Sequence, residues 1–418
     1  MKSYHFINAI LLISLCSSLT SCFKDTCRNK YTLYKPVYKS LTAIRADMKN
    51  APAKPLEEVG KIYTYGHYLF VNEKNKGVHV IDNTNPSSPV NAYFINIPGN
   101  YDIAIKGDYL YADSYSDLVV FDISNPSQIR PVHFTDNLFK EYAYYWAGKT
   151  SPDSVLMITD YIAKDTVVDC DTYNRWQQCP YCQILVPNTG IFYSTNVSTK
   201  SGTGGSMARF TIQNDFLYVV STSTLYAFNI SSPSSPQQSS SNNLSWNIET
   251  IYPFKDKLFI GSTSGMYIFS IADAANPTFL SQTSHIRSCD PVITDGDHAF
   301  VTLRSGTPCQ GFTNELDVLD VSNATNPEML KTYSMTNPFG LAKSGDLLFI
   351  CDGKAGLKIY NASDVYNINE IKNIEILNPY DVIAENGLAI VVAASGIYEL
   401  DYANPNNIKV ISHILIKS

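Results

Sequence analysis

The chain has little charge and few of the residues that mark reactive or membrane-spanning chemistry. Of its 418 residues, 17% are charged, Trp occurs 3 times and Met 7 times. The 31 Lys and Arg against 38 Asp and Glu leave a net charge of −7. No run of basic side chains exists, so a nucleic-acid partner is not expected. Beyond the first 22 residues no stretch holds 18 apolar residues in a row, which argues against a membrane-spanning helix there. Gly-x-Ser-x-Gly, a phosphate-cradling glycine loop and His-Glu-x-x-His are all missing. No cofactor, catalytic residue set or metal site is therefore implied. Helical periodicity is nearly absent as well. One short helix is predicted over residues 40–50, with Ser40 as its cap and Leu41, Ile44 and Met48 on one face. Pro52 and Pro55 stand beyond its end.

What is abundant is tyrosine, at 29, in segments that alternate apolar and polar residues. Such segments read as half-buried strands. They also repeat. The clearest copy is Lys106-Gly107-Asp108-Tyr109-Leu110-Tyr111-Ala112-Asp113, followed by Leu118-Val119-Val120-Phe121-Asp122-Ile123-Ser124-Asn125-Pro126. Seven such units occur, most of them about 40 to 50 residues apart, which is the spacing of propeller blades. In the second unit the strands fall at residues 102–105, 109–112 and 118–121, with a returning strand after Pro131. One such sheet cannot hide both faces, whereas blades stacked round an axis can. The sequence predicts an all-β protein, a β-propeller of seven four-stranded blades over residues 57–418. It shows no sign of a blade shared between the two ends.

Leu118-Val119-Val120-Phe121-Asp122, Leu316-Asp317-Val318-Leu319-Asp320 and, more loosely, Val78-His79-Val80-Ile81-Asp82 resemble the signature strand of the LVIVD-repeat family. Those proteins are β-propellers and include bacterial lipoproteins. Blades three, four, six and seven depart from the pattern most, with Asn229, Ser270 and Asn361 where the others have Asp. The resemblance implies the fold and says little of an activity.

The N-terminus fits a lipoprotein too. Lys2 precedes an apolar run over residues 6–15, too short to cross a bilayer and suited to a signal-peptide core. It leads to Leu19-Thr20-Ser21-Cys22, which resembles the lipobox of bacterial lipoproteins. That resemblance implies a signal peptide at 1–21, lipidation of Cys22, and a linker at 22–56 that carries the short helix. No acid directly follows Cys22. The expectation is an outer-membrane lipoprotein, and surface-exposed and periplasmic-facing placements both stand.

Several residue sets are candidates for function. Asp82, Asp122, Asp320 and Asp401 each precede a turn. They are expected to cap their own turns rather than bind calcium, which needs several oxygens from one loop. An insertion at about 134–205 breaks the repeat. Residues 154–161 are expected to supply the outer strand of blade two, and residues 198–206 a flexible return. In the rest of the insertion the aromatics Tyr144, Tyr145, Trp146, Trp176 and Tyr181 are candidate contacts for a sugar or a protein, or a cover for the propeller's own flank. With Cys16 and Cys22 set aside, seven cysteines remain. Cys289 and Cys309 flank a pair of antiparallel strands and are a candidate disulfide. Among Cys170, Cys179 and Cys182 a structural disulfide with one spare thiol is favoured over a zinc or redox site. Cys351, at a strand end, reads as a small buried hydrophobe.

Aligning the units places Lys61, Asp102, Arg209, Thr250, Pro291, Gly340 and Asp381 at one position near the start of each innermost strand. Glu249 and Asp290 lie beside it. This channel mouth reads either as a ligand site or as a rim of charges that neutralise one another. Two functions follow. The first is a lipid-anchored, non-enzymatic binding module for an envelope protein or glycan. The second is a carbohydrate-active hydrolase or lyase with Asp102, Asp290 or Asp381 as acid or base.

Overall fold

The computed structural model describes residues 28–139, 156–169, 203–244, 248–263, 265–283, 291–305 and 313–417. They fall into two units. The described part of the smaller one, residues 28–38 and 160–169, is most of a two-stranded sheet of Arg28–Ser40 and Leu156–Asp169. In it Thr32 Oγ1 donates to Asp165 Oδ1 at 2.8 Å.

The larger unit is the propeller. Seven antiparallel four-stranded blades follow one another, each built from consecutive strands. The innermost strands are Val59–Tyr65, Ile103–Lys106, Phe210–Gln213, Ile248–Phe254, Val292–Thr294, Leu341–Ser344 and Pro379–Glu385. Each touches the innermost strand of the next blade, and the seventh touches the first. The middle strands pack blade on blade. Tyr111, Phe121, Phe228, Phe300 and Phe349 are fully buried there.

The repeated polar residues build the repeated turns. After the third strand of every blade one side-chain oxygen accepts from the backbone two residues on. Asp82 accepts from Thr84 N at 2.9 Å, Asp122 from Ser124 N at 3.1 Å, Asn229 from Ser231 N at 2.9 Å and Ser270 from Ala272 N at 3.3 Å. Asp320, Asn361 and Asp401 do the same at 2.9, 3.0 and 3.1 Å. Departures from Asp thus keep the bond, because all three residue types offer an acceptor at that reach. The turns between the first two strands, at Gly107-Asp108, Asn214-Asp215 and Lys255-Asp256, are tied as regularly. Ile123 N donates to Asp108 O, Ile230 N to Asp215 O and Ile271 N to Asp256 O, each at 2.8 Å.

Neighbouring blades are stitched by side chains that reach the next blade's turn. Tyr111 Oη donates to Pro233 O at 2.9 Å, Tyr218 Oη to Ala274 O at 2.9 Å and Tyr333 Oη to Val365 O at 2.6 Å. Among the described residues no blade is interlocked, so blades 7 and 1 need their own join. Leu56 and Ile416 form a parallel bridge, and Lys417 N donates to Leu56 O at 2.8 Å. Asn83 Nδ2 donates to buried Glu399 Oε2 at 2.9 Å across the same seam.

Two expectations are corrected. The helix covers only Leu41–Ala46, capped by Ser40 Oγ accepting from Ala43 N at 3.2 Å. The chain after it becomes a strand, Lys49–Pro52, which pairs with Val90–Asn96 at the outer edge of blade 1. Covering that edge gains more hydrogen bonds than one further helical turn before Pro52. Leu41 and Ile44 are buried on one face of the helix, as expected, while Met48 is buried beyond its end. Secondly, the outer strand of blade 2 is Arg130–Thr135, paired with Asp117–Asp122 directly after the turn. Residues 156–161 belong instead to the strand that pairs with Arg28–Ser40. The shorter connection wins because closing it costs less chain entropy.

Candidate functional site

The aligned ring residues lie where the sequence places them, at the axial ends of the blades, and they are buried. Lys61 is 5% exposed, Asp102 2%, Arg209 7%, Thr250 1% and Asp381 1%. Pro291 and Gly340 are buried too. β-Bulges help to aim them. The strand register slips between Val59 and Ile62, between Ile248 and Thr250, and between Pro379 and Asp381. A slip of this kind turns a side chain out of the pleat. Glu249 is the extra residue of the second bulge and is half-buried. Asp290 lies outside the described residues.

The ring surrounds a segment of the chain itself. Thr203 and Gly204 pair with Thr64 and Tyr63 on the axial edge of blade 1. Gly205 then lies against Asp381 of blade 7. Ser206 Oγ accepts from Leu341 N of blade 6 at 2.6 Å. Ala208 O accepts from Ile251 N of blade 4 at 2.8 Å. Arg209 N donates to Asp102 Oδ2 of blade 2 at 2.7 Å, and the chain passes into blade 3. Residues 203–208 therefore run inside the ring of innermost strands and occupy it, touching blades 1, 4, 6 and 7. The expected flexible return is corrected for its last residues. Gly205 and Ser206 are buried and bonded, and glycine is what lets the backbone come so close to Asp381.

The charges at the mouth answer one another. Lys61 Nζ donates to Asp102 Oδ2 at 2.6 Å. Burial lowers the Lys61 ammonium to about 8, although Asp102 supports its charge. Arg209 Nε donates to Val220 O at 3.1 Å. Behind Asp102 stands Asp113, whose Oδ1 accepts from Asn100 Nδ2, Tyr101 N and Asp102 N at 2.8, 2.7 and 2.9 Å. Burial raises Asp113 to about 6 against those donors. Asp381 differs from the others. Its Oδ1 accepts from Val382 N at 3.0 Å, while its Oδ2 is buried without a hydrogen-bond partner. Burial holds its pKa well above the usual carboxylate range, against the pull of Val382 N, Lys61 and Ser206 N.

Asp113 and its neighbours Asn100 and Asn72 were missed from sequence. Asn72 Nδ2 donates to Asn100 Oδ1 at 2.7 Å. Asn72 and Asp113 hold the same place in blades 1 and 2, one residue past the paired positions Val71 and Ala112. A polar residue recurring at the end of a second strand was the available signal. Asp352 and Glu73 do similar work one residue further on. Asp352 Oδ1 accepts from Thr336 N and Asn337 N at 2.9 and 2.7 Å. Glu73 accepts from Glu57 N and Glu58 N at 3.1 and 2.6 Å. Each buried acid ties down the chain entering its blade.

Beside this axis, between blades 7 and 1, a cleft of about 480 Å³ is lined by Glu58, Lys74, Tyr101, Tyr380 and Ile416 among others. Among the described residues no cluster of His, Cys, Asp and Glu is arranged to hold a metal ion. Cys351 is a buried free thiol at the end of its strand, as its sequence position suggests. Cys22, Cys170, Cys179, Cys182, Cys289 and Cys309 lie outside the described residues. So do Tyr144, Tyr145, Trp146, Trp176 and Tyr181.

Comparison with known proteins supports the repeat reading. The LVIVD repeat matches residues 58–93, 99–132 and 311–335, which fall in blades 1, 2 and 5. The chain carries LVIVD repeats. Comparison with curated protein sequences finds no match. Among solved structures it is similar to a periplasmic gluconolactonase of Pseudomonas aeruginosa, with TM-score 0.53 and 10% identity over 86% of this chain and 97% of that one. A protein from Lactobacillus plantarum gives TM-score 0.54 and 11% identity over 86% and 96%. BamB of Moraxella catarrhalis gives 0.50 and 8% over 88% and 97%. At such identities the likeness concerns the fold alone.

Proposed function

We propose that the chain is a lipid-anchored propeller of the bacterial cell envelope that works as a non-enzymatic binding module for an envelope protein or a glycan. The observation that carries this reading is the filled axis. Residues 203–208 occupy the place where an open propeller would receive a small substrate. Lys61 and Asp102 are bonded to each other there. Recognition then falls to the outer surface and to the insertion. The anchor is Cys22, carried in an outer-membrane setting, with the membrane as the first partner. No nucleic acid is part of the reading.

A second reading keeps chemistry at the axis. It is favoured by Asp381, a buried carboxyl that holds its proton and so resembles a general acid in kind. The substrate would be an envelope carbohydrate, cleaved by hydrolysis or elimination once the axis opened.

The test is crosslinking in living cells, followed by purification of the tagged protein and mass spectrometry of its companions. One stoichiometric envelope protein or bound glycan, retained by Asp381→Asn, supports the binding module. Turnover of an envelope glycan that Asp381→Asn abolishes overturns it.

A further inference from the structure

The axial segment is held by an unusual contact. An acid that is 1% exposed faces it from blade 7, and the acid's Oδ2 has no hydrogen-bond partner. The residue opposite is Gly205, so close that a Cβ there would lie 1.9 Å from Oδ2. Gly340 closes the other side, where a Cβ would lie 2.6 Å from Oδ1. No water fits between groups packed in this way. An ionised carboxylate here would sit against glycine carbons with Oδ2 unpaired, and burial outweighs the pull of Val382 N, Lys61 and Ser206 N, so the charge is costly. The cation acting on it is Lys61, which is already bonded to Asp102 at 2.6 Å.

We propose that Asp381 is a proton-dependent latch: its neutral form seats residues 203–208 in the channel, and its ionised form releases them. The device needs only a desolvated acid and a removable cover, and both are present. Released, the segment would expose the Lys61–Asp102 pair and the ring around it to solvent. Water would then reach Oδ2 and stabilise the anion, so deprotonation and release favour each other.

The sign follows from the same contact. Burial raises the proton affinity of Asp381 when the segment is seated. The seated state is therefore favoured at low pH and is lost as pH rises through that raised value. The groups facing the latch from the packed elements are Lys61 and Asp102 on blades 1 and 2, Tyr380 beside it, and the Cys351 thiol of blade 6. Burial and the nearness of Asp381 push Tyr380 and Cys351 well up, so both stay neutral when Asp381 titrates. Lys61, lowered to about 8, Asp113, raised to about 6, and Glu399, raised to about 7 at the seam with blade 1, are competing titrations.

Hydrogen exchange of the mature full-length protein, read by mass spectrometry, tests the latch. Protection of peptides over residues 204–209 is compared between about pH 6 and pH 9, after correction for the roughly tenfold rise in chemical exchange per pH unit. The latch predicts that protection there falls at least tenfold at the higher pH, while Leu347–Cys351 and Leu388–Ala393 keep theirs. Asp381→Asn, and Asp381→Ser as a second neutral variant, should hold their protection at both values. Equal protection of the wild type at both pH values overturns the proposal. So does a fall of the same size in both neutral variants, which would assign it to a titrating group other than Asp381. A fall spread through the strands of blades 6 and 7 also overturns it, because that is general unfolding. None of these outcomes depends on whether a partner or a substrate is found.

Discussion

Gly205 and Asp381, 176 positions apart in sequence, meet at the propeller axis with no room for a methyl group between them. Their contact joins the end of the insertion to the last blade. It makes the middle of the chain part of the ring's core. The filled axis distinguishes this molecule from a propeller with an open channel, although the ring of blades is the same.

Gly205→Ala should therefore destabilise the protein by about 1–3 kcal/mol, the usual cost of overpacking. Adding Asp381→Gly should recover most of that loss. Thermal unfolding of both single variants and the pair gives the coupling, and simple additivity would show that the two residues do not press on each other.

Lys61 and Asp102 form a pair that is expensive to break from one side. Lys61→Met leaves Asp102 buried beside the Arg209 amide with its cation gone. A loss of about 3–5 kcal/mol is expected for the single change. Replacing both by apolar residues of similar size should cost clearly less. Urea unfolding of the two variants would separate these outcomes, and equal losses would refute the argument.

Glu399 at the seam between blades 7 and 1 titrates near neutrality. Burial raises it to about 7, against the hydrogen bond from Asn83. A raised acid is favourable to the fold while it is protonated. Its penalty begins above the ordinary carboxylate value and is complete once pH has passed about 7. Glu399→Gln keeps the acceptor for Asn83 and removes the charge. The variant should gain about 1–3 kcal/mol at pH 8 and little at pH 4. Unfolding at the two pH values checks it, and an equal effect at both would assign the change to packing.

The turn residues should behave as caps and nothing more. Asp122→Ala loses the bonds from Ser124 N and Ser124 Oγ, the latter 2.6 Å, and the exposed ion pair with Arg130, and should cost about 0.5–1.5 kcal/mol. Asp122→Asn keeps the acceptor, as Asn229 does in blade 3, and should be near neutral. Millimolar calcium should leave the melting temperature of the wild type unchanged. A calcium-dependent rise that Asp122→Asn removes would restore the metal reading.

The blades were legible in the sequence because each turn is local. The Asp-x-Ser cap uses bonds that span two residues and the tie from Ile123 to Asp108 stays within one hairpin, so they write themselves into the repeat, and so do strands whose partners lie one turn away. Even the ring position of Lys61, Asp102, Arg209 and Asp381 followed from counting along equal units. What sequence could not decide is what fills the ring. The seat of Gly205 depends on Asp381, Leu341 and Ile251, and the join of Leu56 to Ile416 links positions 360 residues apart. The same limit misplaced Leu156–Asp169, whose partner lies near the N-terminus. The sequence by itself determined the repeated blade, its turns and the residues that face the axis. Only the tertiary structure decided that the axis is closed by the chain's own glycine and serine, since that choice rests on packing between segments with no local bond to record it.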